Sequence, residues 1–189
     1  MNGVVRNVAV LESSFSQGSR TGLLVGHSNG YIINCYSSGT VTAGASQYNA
    51  GGLVGTNNGI IRNSYSVADV VGQYNSGGLC GSGGAAGDSV INSWSGGSVS
   101  GIGTNVGGLI GGYGGAVFAN CGWNNHSGNP TYAIGSSSSN VTHTISDDIA
   151  WFYDASRGLY TAAPAWDFSS GDIWYENITA LPSFWGETQ

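Results

Sequence analysis

The chain of 189 residues contains no lysine and four arginines, Arg6, Arg20, Arg62 and Arg157, scattered along its length. They cannot form a basic groove, and the formal net charge is −6, so binding to nucleic acid or to an anionic membrane surface is not expected. No apolar run approaches the roughly 18 residues of a membrane span, and no membrane insertion of this segment is expected. The opening text, "MNGVVRNVAVLESS", lacks the basic stretch and apolar core of an export signal. Because it starts inside a repeat, it reads as part of a longer chain whose signal lies upstream. Cysteine is scarce and odd in number, so complete pairing is excluded. Glycine is abundant, at 34 residues, but follows no strict Gly-X-Y period, which excludes collagen and assigns the glycines to turns.

What the sequence does hold is repetition. An Asn following an apolar pair recurs as Asn7, Asn34, Asn63, Asn92 and Asn120, with spacings of 27, 29, 29 and 28 residues. This period suggests a solenoid. Glycine interrupts every window in which a helical stripe could form, and β-branched residues dominate the apolar set, so the repeating unit is built of strands. Each unit reads as three extended pieces with glycine-bearing corners, for example "GGLVG", "IIRNSYS" and "ADVVG". The expected fold is all-β, a right-handed parallel β-helix of about five coils, the first one partial.

Stacked coils place equivalent residues about 4.8 Å apart, so aligned positions become physical columns. Val5, Ile32, Ile61, Val90 and Phe118 form an apolar, inward column. The Asn column fits a corner whose amides bond rung to rung. Val8, Cys35, Ser64, Ser93 and Cys121 are compact. With alternation after the Asn, Val41, Val70 and Val99 belong to the core, whereas Tyr36, Tyr65 and Trp94 form an outward aromatic stack and are the candidate binding residues.

The text Gly52-Leu53-Val54-Gly55, followed by Gly59-Ile60-Ile61-Arg62-Asn63-Ser64-Tyr65-Ser66, resembles the GLUG-repeat family of bacterial surface proteins, filamentous-haemagglutinin-like adhesins and non-catalytic parts of IgA-cleaving peptidases. The resemblance covers about residues 3–124 and implies surface display. It brings no catalytic residues. The third unit departs from the pattern at Leu79-Cys80-Gly81 and by the insertion "SGGAAGD", and the fourth has Gly122 in the aromatic column.

Residues 147–189 are different in kind, with seven of the ten acidic residues and four of the six tryptophans. Since an uncovered last coil invites aggregation, this part is expected to be a cap, with Trp151, Trp166, Trp174 and Trp185 supplying buried surface. Asp147 or Asp148 suits the N-terminus of a short helix. Residues 1–124 are then the repeats, 125–146 a crossing segment or irregular coil, and 147–189 the cap. No lid is expected at the other end, where residues 1–20 continue from an upstream domain or meet another subunit.

Tests for chemistry return little. Cys35 and Cys121 share a column three coils apart, roughly 14 Å at the ladder spacing, beyond disulfide reach of about 7 Å, and Cys80 takes the place of Val25, Val54 and Ile110. All three are expected to be free core thiols. His27, His126 and His143 lack the spacing of a zinc site, and the single "GGAAGD" at 83–88 is not a tandem calcium repeat. Glu12, Asp69 and Asp88 have no full-coil carboxylate partner, and Asp147, Asp148, Asp154, Asp167, Asp172 and Glu176 of the tail are assigned to solvated surface. Thr40 and Thr42 give way to Asp69 and Val71 and then to Ser98 and Ser100, which excludes a regular ice-binding face. Asn125, Asn140 and Asn177 stand in glycosylation sequons. The expected protein is a non-enzymatic extracellular or cell-surface module, an adhesin stalk or rigid spacer, without cofactor, metal or catalytic residues. Its expected partners are a host or neighbouring-cell glycan or protein, or copies of itself. The alternatives are a self-assembling fibre or sheath subunit joined through its open N-terminal coil, and a carbohydrate-active β-helix enzyme.

Overall fold

In the computed structural model, which describes residues 2–16, 18–83, 86–169, 174–175 and 180–184, the chain winds into a parallel β-solenoid. One turn comprises the strands Val54–Asn57, Ile60–Arg62, Tyr65–Ser66, Asp69–Gly72 and Tyr74–Gly77. The three pieces expected per coil are thus five. One break falls at Asn63, whose φ of 49° turns the chain sharply after Arg62. In the preceding turn Asn34 makes the same corner, with φ 52°, inside the strand Tyr31–Thr42, which pairs successively with Ile60–Arg62, Tyr65–Ser66 and Asp69–Gly72.

The columns fall where the period puts them. Val5, Ile32, Ile61, Val90 and Phe118 stand in register, and the middle three are fully buried. Cys80 lies between Val54 and Ile110 in the column that starts at Val25. Val41, Val70 and Val99 form a second interior cluster with Ala43 and Ala50. Since about 0.8 kcal/mol accompanies each buried CH₂, these short apolar columns hold a rod that is narrow and poor in leucine together.

Asn7, Asn34, Asn63, Asn92 and Asn120 all adopt the left-handed conformation, with φ of 57°, 52°, 49°, 46° and 51°. Asn tolerates this region better than other residues with a side chain, which is why it marks the corner. The amides also bond along the stack: Nδ2 of Asn34 donates to Oδ1 of Asn7 (3.3 Å), Asn92 to Asn63 (3.4 Å) and Asn120 to Asn92 (2.9 Å). His143 ends the series, its Nε2 lying 2.8 Å from Oδ1 of Asn120.

A second ladder runs along another corner. Asn75 donates to Asn49 (2.7 Å) and Asn105 to Asn75 (2.8 Å), all three again with positive φ. One rung earlier the same place is taken by Arg20 at φ 60°, as fixed by the bridge between Thr21 and Ala50. Arg20→Asn is expected to stabilise the chain by about 1 kcal/mol, by removing the strain of a long side chain in this region and adding a ladder rung. For a chain of this size a thermal melt should then rise by roughly 2–4 °C.

The last glycine of the Gly-Leu-Val-Gly signature has a packing cause. A Cβ on Gly55 would lie 2.3 Å from the carbonyl carbon of Arg20 and 2.5 Å from the nitrogen of Thr21. Gly81 and Gly111 meet the backbones of Asn49 and Ser76 in the same way. The signature strand therefore lies against the backbone carrying the second Asn ladder, and no side chain fits between.

At the far end, Ile134 bridges in parallel to Ile110, and His143–Ser146 pairs in parallel with Gly122–Asn125, so parallel pairing continues past the last Asn of the ladder. The tail follows with a 3-10 turn at Ile149–Tyr153, a one-turn helix at Gly158–Thr161 and an antiparallel pair of Trp174–Tyr175 with Ser183–Phe184. Asp148 holds the N-cap position of the 3-10 turn, but its side chain caps nothing; instead its backbone N–H donates to Oδ1 of Asn124 (3.0 Å). Asp172, Glu176, Asn177 and Trp185 lie outside the described residues.

Candidate functional site

The aromatic column forms as expected, pointing away from the coil interior. Tyr36 and Tyr65 stack with ring centroids 4.9 Å apart and planes 9° from parallel, and Tyr65 and Trp94 follow at 4.5 Å and 4°. Phe152 of the tail stacks on the far face of Trp94 at 4.3 Å, taking the place that Gly122 leaves empty in the next rung. Parallel pairing causes this arrangement, because rings in one column have no choice but to meet face to face or offset.

The expected exposure of this stack is corrected. Tyr36 is 5%, Tyr65 2% and Trp94 0% exposed, because the tail lies along the flank of the solenoid and covers them. Trp174 packs against Tyr36 and Tyr65 at 5.8 and 6.1 Å, Phe184 meets Tyr36 edge-on at 5.1 Å, and Trp166 reaches Tyr65 at 6.3 Å. An aromatic column of this size is too apolar to stay wet on a surface with few charges. It serves as the seat of the tail, and with the tail in place no glycan or protein reaches it.

The Asn corner holds the same segment through polar contacts. Beyond their bonds along the ladder, Nδ2 of Asn63 donates to the carbonyl of Ala165 (3.0 Å), that of Asn92 to Ala162 and Pro164 (both 2.8 Å), and that of Asn120 to Gly158 (2.6 Å). Trp166 Nε1 donates to the carbonyl of Asn92 (2.9 Å), and the Tyr65 hydroxyl to that of Pro182 (2.5 Å). Asparagines chosen for their φ thus also form a docking rail, using amide hydrogens that the ladder leaves over. Sequence reasoning found the rail and the stack but not their shared partner.

Ionisable groups are dispersed. Among the described residues no three of His, Cys, Asp and Glu converge. Asp69 stands in the column of Ser14 and Thr40 and accepts from the N–H (2.9 Å) and hydroxyl (2.6 Å) of Ser98, with no second carboxylate directly above or below. His126 pairs with Asp147 at 3.0 Å. His143 is pushed toward its neutral form by burial; since Asn120 gives its amide hydrogens to Asn92 and Gly158, its Oδ1 requires the Nε2 proton. His27 lies among Arg20 and Asn58, with Asn58 Nδ2 3.1 Å away. Asn140 is exposed but uses Oδ1 to accept from the N–H of Ala133, and Asn125 is half-buried in a strand. A pair that the sequence reading did not single out, exposed Tyr48 and half-buried Tyr74, stacks at 5.3 Å on another face.

The three cysteines are free and buried. Desolvation raises Cys35 to about 11 and Cys80 and Cys121 to about 12. A thiol reagent at pH 8 is therefore expected to label none of them in the native chain and all of them after denaturation; labelling without denaturant would show that the core opens. With folded values above the unfolded ones, stability conferred by the protonated thiols is complete below about pH 8.5 and falls as pH rises toward 11 and 12.

Comparison with known proteins yields no matching curated protein and no matching solved structure. The family model of the GLUG motif matches residues 17–42 and 46–71, so the chain carries two consecutive GLUG repeats, wound here as adjacent turns of a parallel β-solenoid.

Proposed function

We propose that this chain is a rigid, non-enzymatic spacer in an extracellular or cell-surface protein, holding the parts it joins at a fixed separation and offering to glycans or proteins the surface that the tail leaves uncovered. The observation that carries this reading is the double clamp on the stack: the amide ladder and the aromatic column, each spanning several turns, are both tied to one tail segment. Such ties make neighbouring turns give way together instead of peeling singly, which suits a stalk under load. The GLUG match supports a repeat module rather than a catalytic domain. The scattered carboxylates weigh against a carbohydrate-active enzyme, and cover at the far end by residues 133–146 weighs against a fibre grown head to tail.

Force spectroscopy on the chain held between reference domains tests the mechanical part. One cooperative rupture spanning the solenoid is expected; gradual extension without a peak would overturn the spacer reading. Antibody staining of intact source cells tests the location, with staining expected before permeabilisation and its absence deciding against surface display.

A further inference from the structure

Beyond the last Asn of the ladder the chain takes a shortcut. Residues 134–136 follow the course of residues 110–112: Ile134 bridges to Ile110, and the N–H groups of Gly135 and Ser136 donate to the carbonyls of Ile110 and Gly111, both at 3.0 Å. The next fixed point is His143, paired with Gly122. Six residues, 137–142, therefore span what nine, 113–121, span in the coil before. Part of the six is taken up by a tight turn that Ile134 and Ser139 close with antiparallel bonds of 2.9 and 3.4 Å.

The shortfall leaves Val117–Ala119 with no strand over it. This strand pairs with Ser89–Ile91 on one side and, among the described residues, is the last of its sheet on the other. Phe118 continues the inward column of Ile32, Ile61 and Val90, but where those are fully buried it remains half-buried.

The result is a cleft of about 500 Å³, the size of a small-molecule site. Its floor is apolar, built from Phe118, Ile134 and Val141, and Tyr113, 41% exposed, stands beside Phe118 with ring centroids 5.6 Å apart and planes at 44°. Its rim is polar. The hydroxyls of Ser137 and Ser139 lie 2.7 Å apart, Thr142 is exposed, and Asn140, whose Oδ1 accepts from the N–H of Ala133, keeps an Nδ2 with no partner among the described residues. Among the described residues no Asp, Glu, Lys, Arg or His lines the cleft. Both walls belong to the internal stretch 113–142. The described tail runs away from it, from Gly158 on Asn120 to Phe184 on Tyr36, three rungs back.

We propose that this cleft binds the ring of a neutral pyranose, a sugar carrying neither carboxylate nor ammonium group. Such a ring has apolar C–H faces and a girdle of hydroxyls, so its faces suit Phe118 and Tyr113 while its edge exchanges hydrogen bonds with the serines, Asn140 and Thr142. A charged sugar would enter a site without counter-charge, and a hydrocarbon would leave the rim unused. The assignment rests on the reading of the chain as a surface module that meets glycans, and adds the class of sugar and the place. Rupture force and cell staining read that module without reference to the cleft, so the two ideas fail separately.

The test is titration of the isotope-labelled full chain, followed by two-dimensional NMR, with the methyl pyranosides of glucose, galactose, mannose and N-acetylglucosamine and with glucuronic acid and glucosamine as charged counterparts. Saturable, millimolar binding of at least one neutral probe is expected, with the largest shifts at Phe118, Val141 and Thr142. Tyr113→Ser is expected to weaken it about fivefold, the scale of one aromatic contact, with an unchanged circular dichroism spectrum. Thr142→Val, which removes a hydroxyl and keeps the shape, should weaken it as well, whereas Tyr48→Ser, at the other exposed aromatic pair, should not. Absence of saturable binding by every neutral probe, equal or tighter binding of a charged one, shifts centred away from the cleft, or an equal loss from Tyr48→Ser would each overturn the proposal.

Discussion

Asn92→Asp is expected to destabilise the protein by about 4 kcal/mol at neutral pH, the scale of an uncompensated buried charge. Asn92 is 1% exposed, and its Nδ2 reaches Oδ1 of Asn63 and the carbonyls of Ala162 and Pro164, while its Oδ1 accepts from Asn120. Aspartate has nearly the same shape and tolerates the left-handed φ of 46°, so the corner itself is preserved. What changes is the sign of the group facing three oxygen atoms. The introduced carboxyl would have a folded pKa above its unfolded value near 3.9, so its penalty is absent below that value and grows as pH rises toward the folded pKa. Urea unfolding at pH 7 and pH 4 should therefore show a large deficit that shrinks in acid, where the protonated carboxyl can donate one bond.

Comparison along the ladder separates the amide from the corner. Asn63→Asp loses its bond to Ala165 and is expected to have a smaller effect, and exposed Asn7→Asp almost none on stability. Equal losses at all three positions would mean that the corner conformation, and not the tail contact, sets the energy.

The solenoid was legible because a parallel stack turns sequence period into contact. Residues near 28 apart share an environment, so Ile32, Ile61 and Val90 announce an interior, and Cys80 is explained by the valines around it. The second ladder was equally present in the text, as Asn two residues before the paired glycines in "NAGG", "NSGG" and "NVGG" at Asn49, Asn75 and Asn105. It was missed because its spacings of 26 and 30 straddle the insertions that disturb the main period. The tail is a different matter. Its tryptophans declared that it must bury something, but the repeats carry no signal for which surface it covers, because tail and repeat meet by shape and not by period. The tail runs along the flank, from Gly158 on Asn120 to Phe184 on Tyr36, while Ile134 and His143–Ser146 pair with the coil before them.

Gly108→Ala should be strongly damaging, with a loss of about 3 kcal/mol or more. Gly52, Gly78 and Gly108 share a column opposite the interior side chains Ser66, Ser95 and, at the last rung, Trp123. Where the earlier turns have serine, Trp123 fills the interior completely, 0% exposed and with Nε1 donating to Oγ1 of Thr144 (3.2 Å). A Cβ on Gly108 would lie 1.7 Å from Cε3 and 1.9 Å from Cζ3 of that ring, so the indole must leave its place. Trp123→Ala alone should cost about 3–5 kcal/mol through the cavity it leaves. In the double variant the new methyl enters space that the ring has vacated, and the two losses are expected to fall short of their sum by at least 1 kcal/mol, a coupling that chemical denaturation resolves. Additive losses would show that the alanine acts on the backbone instead, as it must at Gly55, where the nearest atoms belong to the main chain and no side-chain deletion can make room.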